Sequence, residues 1–366
     1  MNDVPRDENL APKSDGIDTY EPSANLDMAN FDAVGSEQTA LPQLQPVRKY
    51  RPRFTVPVVL FCMTCVSTAF VGMTGFYPLS YRNALFGNAT ELRQVILLNW
   101  DTGLMYMACV LTILFAHEMG HFIAALIHRI PASLPFFIPL PISFLGTMGA
   151  VIGMEGTKAD RKQIFDIGIA GPIAGLVVAV PMLLFGIQQL DLTSAVHKHD
   201  ELHLNMPLFA HWMLQWMRPG EYTAESHIAL SIVNPYFIAG WVGLFVTGMN
   251  MLPVSQLDGG HVTYTLFKKN AHRVAQLFML MVLSLMICDW MFGWGVYSKF
   301  ILMVGLILFI GIKHPPTRDD SVELGWGRTI LGLVSLSIPV LCFPPQIVYV
   351  ELSHAIPVAI LPSTLM

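Results

Sequence analysis

Charged side chains are scarce in this sequence. Only 13% of its 366 residues are Asp, Glu, Lys or Arg, whereas 53% are hydrophobic, and the mean hydropathy is +0.52. A soluble domain usually carries about 25% charged residues, so the composition excludes an ordinary soluble protein and predicts a polytopic membrane protein. The net charge is only −5, and the absence of a long basic tract argues against nucleic acid as a partner.

Cysteine is also sparse, and an apolar leader is missing. The five cysteines all fall in apolar stretches, which argues against a disulfide framework: Cys62, Cys65, Cys109, Cys288 and Cys342. The C-x-x-C at Cys62 and Cys65 is explained by two small apolar residues on one face of a membrane helix. Because no apolar core follows Met1, no cleavable signal peptide is predicted.

The sequence divides into three predicted parts. Residues 1–53 are rich in Asp, Glu, Ser, Asn and Pro and end in four basic residues, so we expect a disordered cytoplasmic tail with a basic anchor. Residues 54–350 form the predicted transmembrane domain, whose core covers about 102–270. Residues 351–366 are an apolar C-terminal tail.

Apolar runs predict an all-α fold with about seven transmembrane helices. A helix of about 20 residues matches the ~30 Å hydrocarbon core of a bilayer. Suitable runs cover roughly 54–77, 102–128, 164–188, 228–252, 274–292, 296–312 and 328–350. The longest run is divided at Gly293-Trp294-Gly295, where a helix readily breaks.

The distribution of positive charge predicts the orientation. Fourteen Lys or Arg residues fall in segments 48–53, 129–162, 268–273 and 313–328, and five fall in the segments on the opposite side. Cytoplasmic loops carry the excess of Lys and Arg. We therefore expect a multi-pass protein with a cytoplasmic N-terminus. The cell (inner) membrane is the simplest location for a short chain without a predicted signal peptide.

Residues 131–157 are apolar but contain four prolines and four glycines, so they cannot form a spanning helix. Irregular backbone at membrane depth survives where protein or a water-filled cavity covers it. We predict a re-entrant segment, possibly a β-hairpin, in which the stretch from Gly146 through Gly149 to Ile152 is a strand. Its open edge is suited to pairing with an extended substrate; the alternative is a structural loop that plugs the bundle.

One motif carries chemistry. His117-Glu118-Met119-Gly120-His121 is an H-E-x-x-H inside an apolar run. On a helix, residues i and i+4 share a face, so His117 and His121 can bind one metal, with Glu118 as general base for a water. Because ionisable groups in a membrane span are costly, they are functional candidates. Zinc is the expected metal.

A catalytic zinc needs a third protein ligand, and Asp258 is the best candidate. The predicted orientation brings Asp258, after the run 228–252, to the same end of the bilayer as His121. The glycines after Asp258 would let the backbone turn so that its carboxylate reaches the metal. The alternatives are His261 as the ligand, or a solvated Asp258 that merely caps a helix end.

Gly171 and Gly175 form a G-x-x-x-G, whose expected role is close helix packing.

Together these stretches resemble the site-2 protease family of intramembrane zinc metalloproteases. The resemblance covers roughly 102–270 and rests on H-E-x-x-H, on N-x-x-P-x-x-x-L-D-G at 250–259, and on the Gly-rich stretch 165–175. It implies zinc on His117, His121 and Asp258, Glu118 as base, and Asn250 holding substrate near the metal. It further implies cleavage of a peptide bond in a transmembrane segment. Segment 189–227 is too short for an inserted PDZ domain, so we expect the subgroup without one.

Two other functions compete with this interpretation. A peptidase that trims prenylated proteins would use a glutamate as its third ligand, whereas Asp258 fits here. A membrane zinc-binding or zinc-transport protein without protease activity would carry polar ligands along several spans.

The predicted substrate-binding residues are Gly146 and Gly149, together with Asn250. The substrate's identity, the oligomeric state and the role of residues 1–47 do not follow from the sequence.

Overall fold

Helices dominate the described part of the chain. The computed structural model describes residues 54–81, 90–192, 202–223, 228–254, 256–292, 304, 314–315, 317–344 and 348–350. The predicted tails at 1–53 and 351–366, and the predicted span 296–312 apart from residue 304, lie outside these residues.

The described residues form ten α-helices and five short strands. The helices are α1 (Thr55–Met73), α2 (Thr90–Leu98), α3 (Trp100–Ile127), α4 (Arg161–Gln188), α5 (Leu208–Met217), α6 (Pro235–Asn250), α7 (Asp258–Phe267), α8 (Ala271–Phe292), α9 (Trp326–Ser335) and α10 (Ile338–Cys342). The strands are β1 (Phe136–Leu140), β2 (Gly146–Val151), β3 (Leu202–Leu204), β4 (Ile228–Ala229) and β5 (Val348–Val350).

Four helical stretches are long and apolar enough to cross a membrane, within the residues described. They are Thr55–Met73, Trp100–Ile127, Arg161–Gln188 and Asp258–Phe292. The first three match the predicted spans 54–77, 102–128 and 164–188. The fourth begins well before the predicted start at 274, because α7, a 3₁₀ turn at Lys268–Asn270 and α8 follow one another directly.

The remaining predicted spans differ from the structure, and seven spans are not confirmed. The run 228–252 starts as strand β4, and its helix α6 begins only at Pro235, where the Asn234 side chain accepts a hydrogen bond from the backbone of Phe237. Pro at the first helical position and Asn before it are start signals that a hydropathy count does not register. Likewise, the run 328–350 contains two short helices and a strand.

The centre of the bundle is built from α3, α4 and α6. Phe237, Ile238 and Trp241 of α6 are fully buried, so this helix packs against protein on its sides. The backbones of α4 and α6 approach closely, because a Cβ added to Gly240 would lie 2.6 Å from the Cα of Leu183. Helix α6 ends at Asn250.

The Pro- and Gly-rich segment contains the predicted hairpin. Strands β1 and β2 pair antiparallel, with Phe136 opposite Val151 and Leu140 opposite Gly146. Gly146 has φ +78° and its carbonyl accepts a 2.5 Å hydrogen bond from Ser67 Oγ of α1. The hairpin is thus attached to α1; its re-entrant position in a bilayer remains a prediction.

We expect Gly240→Ala to destabilise the protein. The added methyl would force α4 and α6 apart, and overpacking of this kind costs about 1–3 kcal/mol. The free energy of unfolding is measurable by chemical denaturation of the purified protein in detergent. Gly327→Ala on α9 is the control, because nothing lies within 4 Å of its added methyl. Equal stability of the two variants would contradict the backbone contact.

Candidate metal centre

Helix α3 places the three residues of the H-E-x-x-H motif inside the bundle. His117, Glu118 and His121 are 3%, 5% and 7% exposed. The polar motif is therefore covered by protein. Residues i and i+4 of a helix lie on one face, and the two imidazole rings accordingly lie 5.0 Å apart, centre to centre. The motif therefore points at neighbouring helices.

Three donor atoms converge in front of α3. His117 Nε2 lies 3.2 Å from His121 Nε2 and 3.2 Å from Asp258 Oδ2, and His121 Nε2 lies 3.3 Å from Asp258 Oδ1. A tetrahedron with ligands at ~2.0–2.1 Å from its centre has edges of about 3.3–3.4 Å. The spacing thus fits three ligands of one tetrahedral zinc ion. Within the described residues, this is the one group of three His, Cys, Asp or Glu side chains whose donor atoms come together in this way.

A backbone carbonyl fixes the tautomer of His121. Its Nδ1 lies 2.8 Å from the carbonyl oxygen of Ile167 on α4. Since a carbonyl only accepts, Nδ1 carries the proton and Nε2 of the neutral ring presents a lone pair. That lone pair faces His117 Nε2 and the Asp258 carboxylate, an arrangement that a cation stabilises. Metal-binding histidines commonly show this second hydrogen bond.

Asp258 reaches the centre from a different position in the fold than predicted. It lies in the first turn of α7, and the following glycines are helical, so the expected turn after Asp258 is wrong. A Cβ on Gly259 would lie 2.0 Å from the Met251 carbonyl oxygen. Gly259 therefore allows α7 to pack on the turn that follows α6, and this packing brings Asp258 back to His117.

His261, the alternative ligand, does not join the three donor atoms. Its Nδ1 lies 2.6 Å from Nε2 of His314. His261 nevertheless lines the same cavity as the motif. The structure therefore favours Asp258 as the third donor of the cluster.

The glycines of α4 accommodate the imidazole rings. A Cβ on Gly171 would lie 2.0 Å from His121 Nε2, and one on Gly175 would lie 3.1 Å from His117 Nδ1. The expected role of the G-x-x-x-G was close helix packing. Here it provides the space in which both rings reach the donor cluster, because no larger residue fits at Gly171.

A cavity of about 170 Å³ adjoins the donor atoms. Its lining includes the three donors, Glu118, Asn250, and the end of the hairpin at Ala150, Val151 and Ile152. Asn250 Nδ2 lies 3.3 Å from His117 Nε2. Gly146 and Gly149 are not among the lining residues: Gly146 packs against Thr68 of α1, and the space beside Gly149 is open.

An ion-pair cluster that no sequence motif indicated lies beside this centre. Arg328 of α9 binds both carboxylate oxygens of Asp166, at 2.7 and 2.9 Å. His128 Nε2 lies 3.0 Å from the same carboxylate. Asp166 precedes Ile167, whose carbonyl orients His121, so the cluster ties the start of α4 to α3 and α9. The only sequence signal was an acidic residue at the start of an apolar run.

Gly171→Ala is expected to lower zinc affinity by about 10–100-fold, the range found for changes that misplace a ligand. The added methyl would occupy the position of the His121 ring. Zinc content and affinity are measured by elemental analysis and competition with a chelator. Gly175→Ala should have a smaller effect, since its methyl meets the ring of His117 at 3.1 Å or more. Native zinc affinity in Gly171→Ala would contradict this geometry.

Known proteins share this part of the chain. The chain is 29% identical over 303 residues to the probable zinc metalloprotease EGY1, chloroplastic, of Arabidopsis thaliana, covering 80% of this chain and 53% of the relative. It is 34% identical over 242 residues to the protein of the same name from Oryza sativa subsp. japonica, covering 64% and 39%. The chain thus spans about half or less of the length of these relatives.

A family profile also matches the chain. The profile of peptidase family M50 matches residues 105–288, which is half of the chain and includes α3 with its motif, α4, α6, and α7 with Asp258. The resemblance to the site-2 protease family is thereby confirmed, and the chain belongs to peptidase family M50.

Proposed function

We propose that this protein is an intramembrane zinc metalloprotease that hydrolyses a peptide bond within or near a transmembrane segment of a membrane protein. The main support is that His117, His121 and Asp258 converge beside Glu118 in a cavity that also reaches strand β2. Family membership and the four apolar helices support this proposal.

His117, His121 and Asp258 would hold the zinc ion, leaving one position for water or substrate. A zinc ion held there would supply an acidified water and a Lewis acid for the peptide carbonyl. The Ile167 carbonyl keeps the His121 ring in the tautomer that binds metal through Nε2. Asn250 Nδ2, near His117 Nε2, is placed to donate a hydrogen bond to a group in the cavity.

Glu118 is proposed as the general base and general acid. It is next to His117 on α3 and lines the cavity, so its carboxylate can take a proton from the attacking water. The same carboxyl then returns the proton to the amine that leaves, and the carboxylate is regenerated. General acid–base groups typically contribute about 10²–10⁴-fold to rate.

The substrate is proposed to bind as an extended strand. A transmembrane helix hides its carbonyls in hydrogen bonds, so the scissile region must unwind before water can attack. Within the described residues β2 pairs only with β1. The last two residues of β2, Ala150 and Val151, and the following Ile152 line the cavity. Backbone pairing there would hold the scissile carbonyl near the metal. Gly149, with open space at its Cα, is proposed to let the substrate backbone approach, and Gly146 to position the strand.

A zinc-binding or zinc-transport role without proteolysis receives less support. Such a protein needs ligands at several levels, whereas the described residues contain a single cluster of three donors. We retain as proposals the cytoplasmic N-terminus, which rests on the distribution of Lys and Arg, and the location in the cell membrane. The relatives' names place those proteins in chloroplasts.

Glu118→Gln is expected to keep zinc and lose cleavage. The amide has nearly the same shape but cannot accept a proton, so the rate should fall by at least about 10²-fold. The reaction is followed with purified protein and single-span substrate peptides in proteoliposomes. Asp258→Ala is the matched control, because it should lose both zinc and cleavage. Native cleavage by Glu118→Gln would show that this residue is not the base.

Ile152→Pro is expected to reduce kcat/KM for a membrane-embedded peptide by about tenfold, with zinc content unchanged. The substitution removes one backbone donor at the end of β2, and a lost hydrogen bond costs about 1 kcal/mol or more. Ile142→Pro, in the exposed turn between β1 and β2 and away from the cavity, is the control. If both variants cleave at the native rate, strand addition at this edge is wrong.

A further inference from the structure

Helix α5 has one buried face and one exposed apolar face. Its large side chains at every fourth position, Leu208, Trp212 and Trp216, are 38%, 48% and 73% exposed. Ala210 and Leu214, on the other side, are fully buried. Because residues four apart on a helix share a face, the three exposed side chains form one stripe, which the protein leaves uncovered.

The buried face of α5 holds the helix on the bundle. Its fully buried residues belong to the main apolar core, and His211 Nδ1 lies 2.9 Å from the hydroxyl oxygen of Tyr222. Just before the helix, the carbonyl oxygen of Asn205 accepts a 2.8 Å hydrogen bond from Trp241 Nε1 of α6. These contacts fix the direction in which the stripe faces.

Hydrogen bonds also fix the level of α5 along the bundle. Arg218, which follows α5, donates through Nη1 to the carbonyl oxygen of Gln188, the last residue of α4, at 3.2 Å. Asn234, which precedes α6, donates through Nδ2 to the carbonyl oxygen of Gly186 at 2.9 Å. Helix α4 is long and apolar enough to cross a membrane, so α5 lies at the level where α4 would leave the hydrocarbon core.

This end of α4 lies far from the metal centre. Gly171 lies beside the ring of His121. Gly175, one turn later, lies beside the ring of His117, so α3 and α4 run antiparallel. Helix α4 continues for seventeen residues beyond Gly171, which is about 25 Å. The start of α3 lies at the same end of the bundle, and its first residue, Trp100, is 58% exposed.

The composition of α5 suits a lipid surface of any charge. The indole of Trp combines a large apolar surface with one N–H donor, and Trp is enriched at membrane–water interfaces. Helix α5 contains no Asp, Glu, Lys or Arg, and Arg218 donates through Nε to Glu221 at 3.0 Å. Binding through the stripe therefore requires no anionic lipid.

We propose that α5 is an interfacial helix that inserts Leu208, Trp212 and Trp216 into the bilayer. The three side chains contact the boundary between headgroups and acyl chains, on the side of the membrane farther from the metal centre. The ten residues of α5 measure about 15 Å, which is too short to cross the ~30 Å hydrocarbon core. The helix therefore lies along the surface, as amphipathic helices with one apolar face do.

A second copy of this chain fits the stripe less well. A stable protein interface buries about 800 Å² on each partner. A large aromatic side chain contributes about 150–250 Å² when it is wholly buried, and the stripe has two, both partly covered already. The stripe thus offers about half of that area or less. Insertion into a bilayer has no such minimum area.

This assignment also sets the depth of the metal centre. The α4 glycines beside the two histidine rings lie thirteen and seventeen residues before the end of α4, which is about 20–25 Å of helix. The hydrocarbon core is ~30 Å thick. The three donor atoms therefore lie in the half of the membrane opposite α5, close to the other surface and to its water.

Fluorescence quenching by brominated lipids tests the proposal. The full-length protein is placed in phosphatidylcholine vesicles whose acyl chains carry bromine either near the headgroups or near the bilayer centre. Trp212→Phe/Trp216→Phe keeps the stripe apolar, and the emission lost in this variant reports the two indoles. We expect that emission to be quenched at least about twofold more by the shallow bromines than by the deep ones, and little by iodide in the water.

The fully buried Trp241 provides the matched control. The emission lost in Trp241→Phe should respond neither to bromine nor to iodide. Adding phosphatidylglycerol to the vesicles should leave the quenching of the stripe unchanged, because α5 carries no charged side chain.

Three results would overturn the proposal. Quenching of the two indoles by iodide alone would place the stripe in water. Strongest quenching by the deep bromines would place α5 inside the hydrocarbon core. Protection from both quenchers would mean that protein covers the stripe, and cross-linking would then reveal whether a second copy does so. None of these measurements involves zinc or proteolysis, so this proposal and the proposed function can fail separately.

Discussion

The structure depends on one electrostatic constraint: two imidazole nitrogens and a carboxylate meet within 3.3 Å in an apolar helical bundle. Ionisable groups are costly inside a membrane span, and lone pairs that face one another repel. A divalent cation at their centre relieves both penalties. The arrangement of α3, α4 and α7 thus serves to bring these three donor atoms together.

Small residues make that convergence possible. Gly171 and Gly175 of α4 leave space for the rings carried by α3, and Gly259 lets α7 pack on the turn after α6. The short buried helix α6 ends at Asn250, so that the chain can turn and present Asp258 from a new helix.

The motif residues could be predicted because their chemistry is local: H-E-x-x-H requires only a helix to align its side chains. Asp258 was selected from the predicted topology and from the glycines that follow it. The expected backbone turn at those glycines is wrong, since they are helical and Gly259 packs against the turn after α6. Hydropathy located α1, α3 and α4. It failed for 228–252, where Asn234 and Pro235 start a shorter helix. The roles of Ile167 and Arg328 depend on contacts between remote segments, which no local pattern encodes.

The hydrogen bond from His121 to the Ile167 carbonyl has a consequence for variation in this chain. Because the acceptor is a main-chain atom, replacing the side chain at position 167 does not abolish it. The tautomer of the imidazole therefore depends on the path of the α4 backbone, and most side-chain substitutions leave it unchanged. Changes that bend α4 should alter it. Substitutions at position 167 are thus limited by packing and keep the orientation of the ring.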